Sequence, residues 1–403
     1  MTQKTLLALG GSRLLLPIID AAHELGHRVV TCDYLPDNYA HQFADDYRNV
    51  SIVDRDAVLA TARDVQADGI VSFAADPGVV AAAYSAEQLG LPFQGSHRAV
   101  SILQSKDTFR EFLKRNGFPA PAAITFRSAD DAARRSAEIH YPVIVKPTDA
   151  AGSKGVRRVD AADELAPAVE HALGFSMSGT SIVETFIQMQ GRQIVAEGFT
   201  IDGRFTSIAF MDHVFDTAGA NPYAPAGHIL PSQMEADVLE VLKKDLQRLA
   251  DLLELRNGLY NIEARVGIDG TPYIMEVSPR GGGNRLAEYV RRATGVDYVR
   301  ATVQAAVGDT IDTLYEPRTP EVWFQQVLFS RTSGLFDCVH FDDHVASAVD
   351  ELDIWVSHGD PVTSFTHASY AVGTAVLRFP NTPKAEAHIS NINSLTTVRV
   401  ISH

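Results

Sequence analysis

Apolar runs of strand length alternate with helix-period segments through the first hundred residues, and this alternation narrows the fold more than any other feature. Thr5–Leu9 ends in Gly10-Gly11, a helical segment runs from Leu14 to Leu25, and Gly26 closes it. His27–Cys32 is a second strand ending at Asp33. Gly69–Phe73 is a further buried strand, followed by the Ala-rich helix Val79–Leu89. Such alternation implies βαβ units and a parallel sheet. Gly10-Gly11 lacks the G-x-G-x-x-G spacing of a dinucleotide site, so a tight strand-to-helix turn accounts for these glycines.

The chain has 403 residues, enough for two or three units. A helix is predicted over Lys106–Arg115, stopped by Asn116-Gly117-Phe118-Pro119, with Pro119 and Pro121 marking a hinge. Residues 122–205 read as β-rich with two helices. Residues 234–255 form a long amphipathic helix, then come a hairpin, a glycine-rich turn and a helix over Leu286–Val307. From about Pro320 the chain is strand-rich, with Val322–Phe329, Val372–Phe379 and Thr397–Ile401.

The formal net charge is −15 and no basic run occurs. A nucleic-acid partner, which needs a basic face to displace counterions, is therefore not expected. An anionic ligand would have to be held by locally placed cations. Cys32 and Cys338 are too few and too far apart for a disulfide framework or a zinc pattern, so a reduced, cytoplasmic protein is expected. The apolar run Leu6–Ile19 is broken by Gly10-Gly11 and Arg13 and reads poorly as a signal peptide. No apolar stretch is long enough to suggest a membrane partner.

The most informative segment is Leu259–Val266, Gly267–Gly270, Thr271–Ser278. Asp269-Gly270 between two alternating runs signals a hairpin. Centring the turn on that pair sets Tyr273, Met275 and Val277 opposite Val266, Ala264 and Ile262 on an apolar face. The other face carries Asn261, Glu263 and Arg265 opposite Ser278, Glu276 and Ile274. Glu263 then faces Glu276 with Cβ atoms about 4.5–5.5 Å apart. Like charges there repel unless a cation lies between them, and Mg²⁺ is commonly held by one or two carboxylates plus phosphate oxygens. The alternative is two solvated glutamates, each paired with an arginine, for which Arg265 and Arg280 are near in sequence. Pro279-Arg280-Gly281-Gly282-Gly283-Asn284 follows as a side-chain-poor turn opening a helix, where backbone N–H groups can approach phosphate oxygens.

Val143–Pro147 is a short strand carrying Lys146, a residue able to reach a phosphate as a point charge. The loop Thr148–Val156 contains Gly152-Ser153-Lys154-Gly155 and reads either as a phosphate-covering flap or as an ordinary strand connection. Lys106, near a helix start, reads in isolation as a solvated lysine sooner than as a ligand contact. Thr180–Val183 runs into Glu184-Thr185-Phe186-Ile187, and Gly191-Arg192-Gln193 turns into Ile194–Ile201.

In this order the pieces resemble the ATP-grasp superfamily, in its carbamoyl-phosphate-synthetase-like and biotin-carboxylase-like branch and nearest to the L-amino acid ligases. The resemblance implies an α/β fold, α+β in its C-terminal part. A Rossmann-like pre-ATP-grasp domain (1–104) would precede a two-lobed ATP-grasp domain (105–310, lid about 122–205) and a small β-rich C-terminal domain (311–403). It implies ATP with Mg²⁺, Mn²⁺ being a substitute. Lys106 and Lys146 would be the nucleotide lysines, and Gly152, Ser153 and Gly155 the flap. Glu184, Thr185 and Ile187 would hold adenine, and Glu263 and Glu276 would be the metal carboxylates. Lys146 and Arg280 would be catalytic, with Arg280 near the transferred phosphate. Gly227-His228-Ile229-Leu230-Pro231-Ser232 points to the amino-acid ligase branch, with His228, Arg280 and Gly283 meeting substrate; a satisfied loop histidine is the other reading of His228. Gln193 stands where the family often has a ribose-holding glutamate, and Ser278 where it often has an asparagine metal ligand. The implied activity is an ADP-forming carboxylate–amine ligase working through an acyl phosphate on small-molecule carboxylate and amine substrates, with a homodimer as the default assembly. Carboxyphosphate formation, or an ATP-binding regulatory protein, are the rival readings.

Overall fold

The computed structural model describes residues 2–150 and 152–401, and among these residues the strands form four sheets. The first is parallel: Thr5–Leu9 (β1), Arg28–Asp33 (β2), Asp46–Asn49 (β3) and Gly69–Ser72 (β4), in the order β3-β2-β1-β4. Leu6, Leu7, Ala8, Leu9, Val29 and Val30 are fully buried, as strands covered on both faces must be. Helices Leu16–Glu24 (α1), Arg55–Asp64 (α2) and Asp76–Leu89 (α3) pack around this sheet. The edge strand β3, with the sequence DYRN, has no apolar pattern and is not predicted. Asp33 caps its own loop, accepting from the Leu35 amide (2.9 Å) and Asn38 Nδ2 (3.1 Å).

Helices His97–Gln104 (α4) and Lys106–Arg115 (α5) lead to the second unit. Gly117 in the left-handed region ends α5 as predicted. Ala123–Phe126 (β5), Val143–Pro147 (β6), Arg157–Val159 (β7) and Ser181–Thr185 (β8) form a sheet in the order β5-β8-β6-β7, backed by Ala129–Arg135 (α6) and Leu165–Leu173 (α7). The expected lid spans about 122–205; this sheet ends at about residue 185, because the strand after it joins a different sheet.

The chain continues through Ile194–Ile201 (β9), Arg204–Phe215 (β10), Pro225–Leu230 (β11), the helix Ala236–Leu253 (α8), Gly258–Val266 (β12) and Pro272–Ser278 (β13). Helices Leu286–Thr294 (α9) and Tyr298–Val307 (α10) follow. The strands Val322–Leu328 (β14), Gly334–Phe341 (β15), Val349–Ile354 (β16), Pro361–Val362 (β17), Gly373–Phe379 (β18) and Thr396–Ile401 (β19) complete the chain. Eight of these strands make one antiparallel sheet, β13-β12-β9-β10-β11-β14-β18-β16, and three make another, β17-β15-β19.

Two expectations are corrected here. The predicted helix Leu286–Val307 is two helices, because Gly295 takes a φ of +80° and Asp297 starts a new helix by accepting from the Arg300 amide (2.9 Å). The C-terminal strands do not stand apart. Every residue of β14 is buried, so it cannot be an edge, and it pairs with β11 on one side and β18 on the other.

His388, on the helix Thr382–Ile389, lies among the rings of Phe324 and Phe379 with both ring nitrogens buried and unpartnered. Burial pushes its pKa down from 6.5 to about 4. The unfolded chain takes up this proton below pH 6.5, but the folded chain does so only near pH 4. The stability tied to a neutral His388 is therefore complete above 6.5 and is lost as pH falls toward 4. His388→Phe, which keeps the aromatic packing, is expected to flatten the fall in melting temperature across that window. An unchanged slope would show that His388 has no part in it.

Candidate active site

The β12–β13 hairpin places Glu263 opposite Glu276, and Asn261 opposite Ser278. The route to that register differs from the predicted one. The loop runs from Gly267 to Thr271, so Val266 pairs with Pro272, Arg265 with Tyr273 and Ala264 with Ile274. A bulge after Glu263, with Met275 as the extra residue, then restores the carboxylate pair. The buried apolar face is accordingly Pro272, Ile274 and Val277, and not Tyr273, Met275 and Val277.

Neither glutamate is neutralised by an arginine. Arg265 Nε donates to Gln193 Oε1 (2.8 Å), and Gln193 Nε2 donates to Glu263 Oε2 (2.9 Å). His213 Nε2 lies 3.7 Å from Glu263, and Lys106 Nζ lies 3.9 Å from Glu276. The two carboxyls are driven apart in acidity. Burial opposes ionisation of Glu263, but His213, Arg265 and Lys146 hold it down at about 2. Glu276 is raised by burial and by the charges of Glu263 and Asp76, with Lys106 opposing. Among the described residues no cluster of three or more His, Cys, Asp or Glu side chains suits a metal. The donor set is these two carboxylates, hard oxygens of the kind Mg²⁺ accepts when phosphates complete its shell.

Above this pair, Lys146 on β6 meets Glu184 on β8 (2.7 Å), and Arg110 on α5 meets the other oxygen of the same carboxylate (2.7 Å). Burial would raise Glu184, but Arg110 and Lys146 hold it at about 2. Burial likewise pushes Lys146 down to about 8, with Glu184 opposing. The Glu184 side chain is thus committed to two cations. The amides of Thr185 and Phe186 donate to Ala122 and Pro142, and Ile187 is buried just beyond. Gln193, expected at a ribose, is instead wedged between Arg265 and Glu263.

The flap residues Gly152, Ser153 and Gly155 all take positive φ; Ala151, within the same loop, lies outside the described residues. Ser153 Oγ donates to the Tyr223 carbonyl (2.8 Å), and Lys106 Nζ donates to the Ala150 carbonyl (2.8 Å). The flap thereby closes on a cavity of about 20 Å³ lined by Asp76, Gln104, Lys106, Asp149 and Glu276, among others.

Arg280 is buried and bidentate to Asp76 (2.9 and 2.6 Å), and Ser278 Oγ donates to the same carboxylate (2.7 Å). A Cβ at Gly283 would meet nothing within 4 Å, so that position opens onto free space. His228 sits on β11 with its ring 4.9 Å from that of His213 and Nδ1 2.9 Å from Gln325 Oε1. Burial pushes its pKa down to about 3, so it is neutral.

Sequence reasoning missed Arg110, Asp76, His213 and Glu197. Arg110 follows Lys106 by one helical turn, a spacing that was readable. Glu197 is a lone acid within the apolar strand β9, also readable. It is fully buried, accepts from Asn261 Nδ2 (2.8 Å) and the Gly282 amide (2.9 Å), and is pushed up to about 8 by burial. Asp76 and His213 reach the site only through tertiary pairing and carry no local signal.

Comparison with known proteins bears on the fold. Residues 139–288 match the ATP-grasp domain and residues 19–93 the ATP-grasp N-terminal domain. The carbamoyl phosphate synthase large chain of Micrococcus luteus is 30% identical over 223 residues, 55% of this chain and 20% of that one. The chain therefore spans about a fifth of the length of that relative. The L-amino acid ligase of Bacillus licheniformis superposes over 100% of both chains with a TM-score of 0.81 at 21% identity. The biotin carboxylase domain of the Hydrogenobacter thermophilus 2-oxoglutarate carboxylase, solved with MgADP and bicarbonate, gives 0.75 at 16% identity over 99% of this chain and 91% of that one. At these identities the superpositions establish the fold. The chain thus carries a segment that matches the ATP-grasp domain, preceded by one that matches the ATP-grasp N-terminal domain.

Arg110→Met tests the Glu184 cluster. It leaves a buried carboxylate with one cation in place of two and strips the Met275 carbonyl of its 2.7 Å donor. A loss of about 3–5 kcal/mol in unfolding free energy by denaturant titration is expected. A loss under about 1 kcal/mol, the scale of an exposed pair, would mean that Lys146 alone satisfies Glu184.

Proposed function

We propose that this chain is an ATP-grasp, ADP-forming carboxylate–amine ligase acting on small molecules, an amino acid being the expected acid. The observation that carries the reading is the Glu263–Glu276 pair, set beside Lys106 and Arg280 and under a glycine flap. A cation site next to an anion site is what phosphoryl transfer requires.

In this reading ATP is a substrate whose adenine lies at the Glu184–Ile187 connection, near Ile187. Lys106 and Lys146 attract its phosphates. For Lys106 this means giving up the Ala150 carbonyl; for Lys146 it means sharing its charge with Glu184. Glu263 and Glu276 would hold Mg²⁺, or Mn²⁺ in its place, which when bound offsets phosphate charge. A carboxylate oxygen of the acid attacks the γ-phosphorus, the bond to the ADP oxygen breaks, and an acyl phosphate forms. The amine nitrogen then attacks the carbonyl carbon, a C–N bond forms, phosphate leaves, and the amine proton passes to the medium. Arg280 faces negative charge in both steps, and the flap excludes water from the acyl phosphate. His228 and Gly283 border the space left for the acid and the amine. Two free cysteines favour a reducing cytoplasm, and a homodimer is the assembly expected from symmetry. Among the described residues no helix is long and apolar enough to cross a membrane.

The decisive assay is Mg²⁺-dependent release of ADP and phosphate with L-amino acids singly and in pairs, and with bicarbonate. Release that needs two amino acids supports the ligase. Release with bicarbonate alone replaces it with carboxyphosphate chemistry, and nucleotide binding without release with any acid replaces it with a regulatory role. Glu276→Gln is expected to abolish ADP release. It should also erase any Mg²⁺-induced rise in melting temperature, while leaving the melting temperature in EDTA unchanged or higher, because the facing repulsion is gone. Retained turnover in that variant would remove Glu276 from the site.

A further inference from the structure

The N-terminal domain reaches the phosphate side of the site at one place. In the order β3-β2-β1-β4 the strands are added on one side of β1 up to β3 and then on the other side with β4, and ligand crevices of open parallel sheets lie outside the strand ends at such a switch point. Phe73 and Asp76 follow β4 there, and Asp76 opens α3. Three groups of this domain grip the turn that carries Arg280. Gln94 Nε2 donates to the Pro279 carbonyl (3.1 Å). The Phe73 ring lies where a Cβ at residue 281 would come within 2.5 Å of it, so the close approach needs Gly281. Asp76 takes Arg280 Nε at 2.9 Å and Nη2 at 2.6 Å.

The rest of the contact explains why this grip matters. Ser278 Oγ, itself held by Gln104 Nε2 (2.7 Å), donates to Asp76 and fixes the carboxylate plane. A guanidinium has five N–H groups. Asp76 takes two and the Gly281 carbonyl takes one (3.0 Å), so two remain to meet an anion, in an orientation the bidentate grip does not let rotate. Asp76 lines the same small cavity as Lys106 and Glu276, so the held arginine stands at the edge of the proposed phosphoryl site.

We propose that Asp76 is a positioning residue that fixes the Arg280 guanidinium toward the transferring phosphoryl group, so that the N-terminal domain completes the acyl-phosphate site. The inference rests on the carboxylate-activation reading above. Asp76→Asn is expected to lower kcat by about 10²-fold, the scale of a misplaced catalytic group, with KM for ATP within about twofold, a loss of transition-state rather than uniform binding. Arg280→Lys should lose a similar factor, and the double variant should lose no more than Arg280→Lys alone, because the two residues act as one unit. Losses that multiply would overturn the proposal. Should Asp76→Asn fail to fold in a thermal melt, Asp76→Glu keeps the charge but displaces the fork by one methylene, and the same kcat loss is expected; full activity in that variant would also overturn it. A second readout needs no turnover. Inorganic phosphate titrated into the MgADP-loaded protein should bind about tenfold more weakly to Asp76→Asn, the equivalent of about 1.4 kcal/mol. Equal or tighter binding would show that Asp76 only neutralises Arg280. A wild-type protein that releases no ADP with any acid defeats the ligase reading, and the phosphate titration then still decides the role of Asp76.

Discussion

Two carboxylates that face each other across neighbouring antiparallel strands repel, and the site is built around that repulsion. At about 5 Å and an effective dielectric near 20 the unscreened interaction is about 3 kcal/mol, a large part of a domain's net stability. Lys106, nearly 4 Å from Glu276, and the Gln193 amide on Glu263 offset only part of it. The remainder appears as the opposite shifts of the two carboxyls, Glu263 lowered and Glu276 raised. In the proposed reading, a cation held between them gains from both, so the repulsion would add to affinity for a divalent ion.

Around this pair the charges belong to different parts of the chain, which makes the site a device for holding those parts in place. Arg110 binds Glu184 of the lid and, through Nη2, the Met275 carbonyl of the central sheet. Its two partners thus lie on different sheets, on strands β8 and β13. Asp76 and Arg280 tie the parallel domain to the same sheet. A buried ion pair contributes little net stability when both partners are present and costs several kcal/mol when one is lost. These links therefore fix geometry more than they add stability.

How much of this was legible follows from what each residue depends on. The elements with strong local pattern, β1, α5, β9 and α8, lie within a residue or two of their predicted spans. The Glu263–Glu276 pair was also legible, but through two errors that cancel: next to the loop the pairing is shifted by one residue from the one that Asp269-Gly270 suggests, and the bulge at Met275 puts the register back. The division of the helix at Gly295 was written in the sequence as Gly-Val-Asp and overlooked, because the apolar period continues across it. Asp76 could not be seen, since an aspartate starting a helix is ordinary capping chemistry until the partner across the domain boundary is known. The central place of β14 was equally hidden, because burial on both faces, and not composition, sets it in the middle of a sheet.

The flap bears on affinity rather than on the chemistry itself. A nucleotide needs a pocket of several hundred Å³, and the cavity under the flap is about 20 Å³. In the proposed reading, a nucleotide seated under the flap displaces the bond from Lys106 to the Ala150 carbonyl and the bond from Ser153 to the Tyr223 carbonyl. Asn221 also holds the Ser153 carbonyl (3.3 Å) and the Thr366 carbonyl (2.8 Å), so the loop under the flap is tied to the segment between β17 and β18. Each such bond is worth about 1 kcal/mol net, and apparent affinity falls by the fraction of molecules that are open. The Lys106 contact is made good when phosphate replaces the carbonyl, whereas the contacts of Ser153 and Asn221 are regained only on reclosure. The opening cost is thus returned once the nucleotide is covered, which favours a closed, water-excluding complex over a loosely bound one.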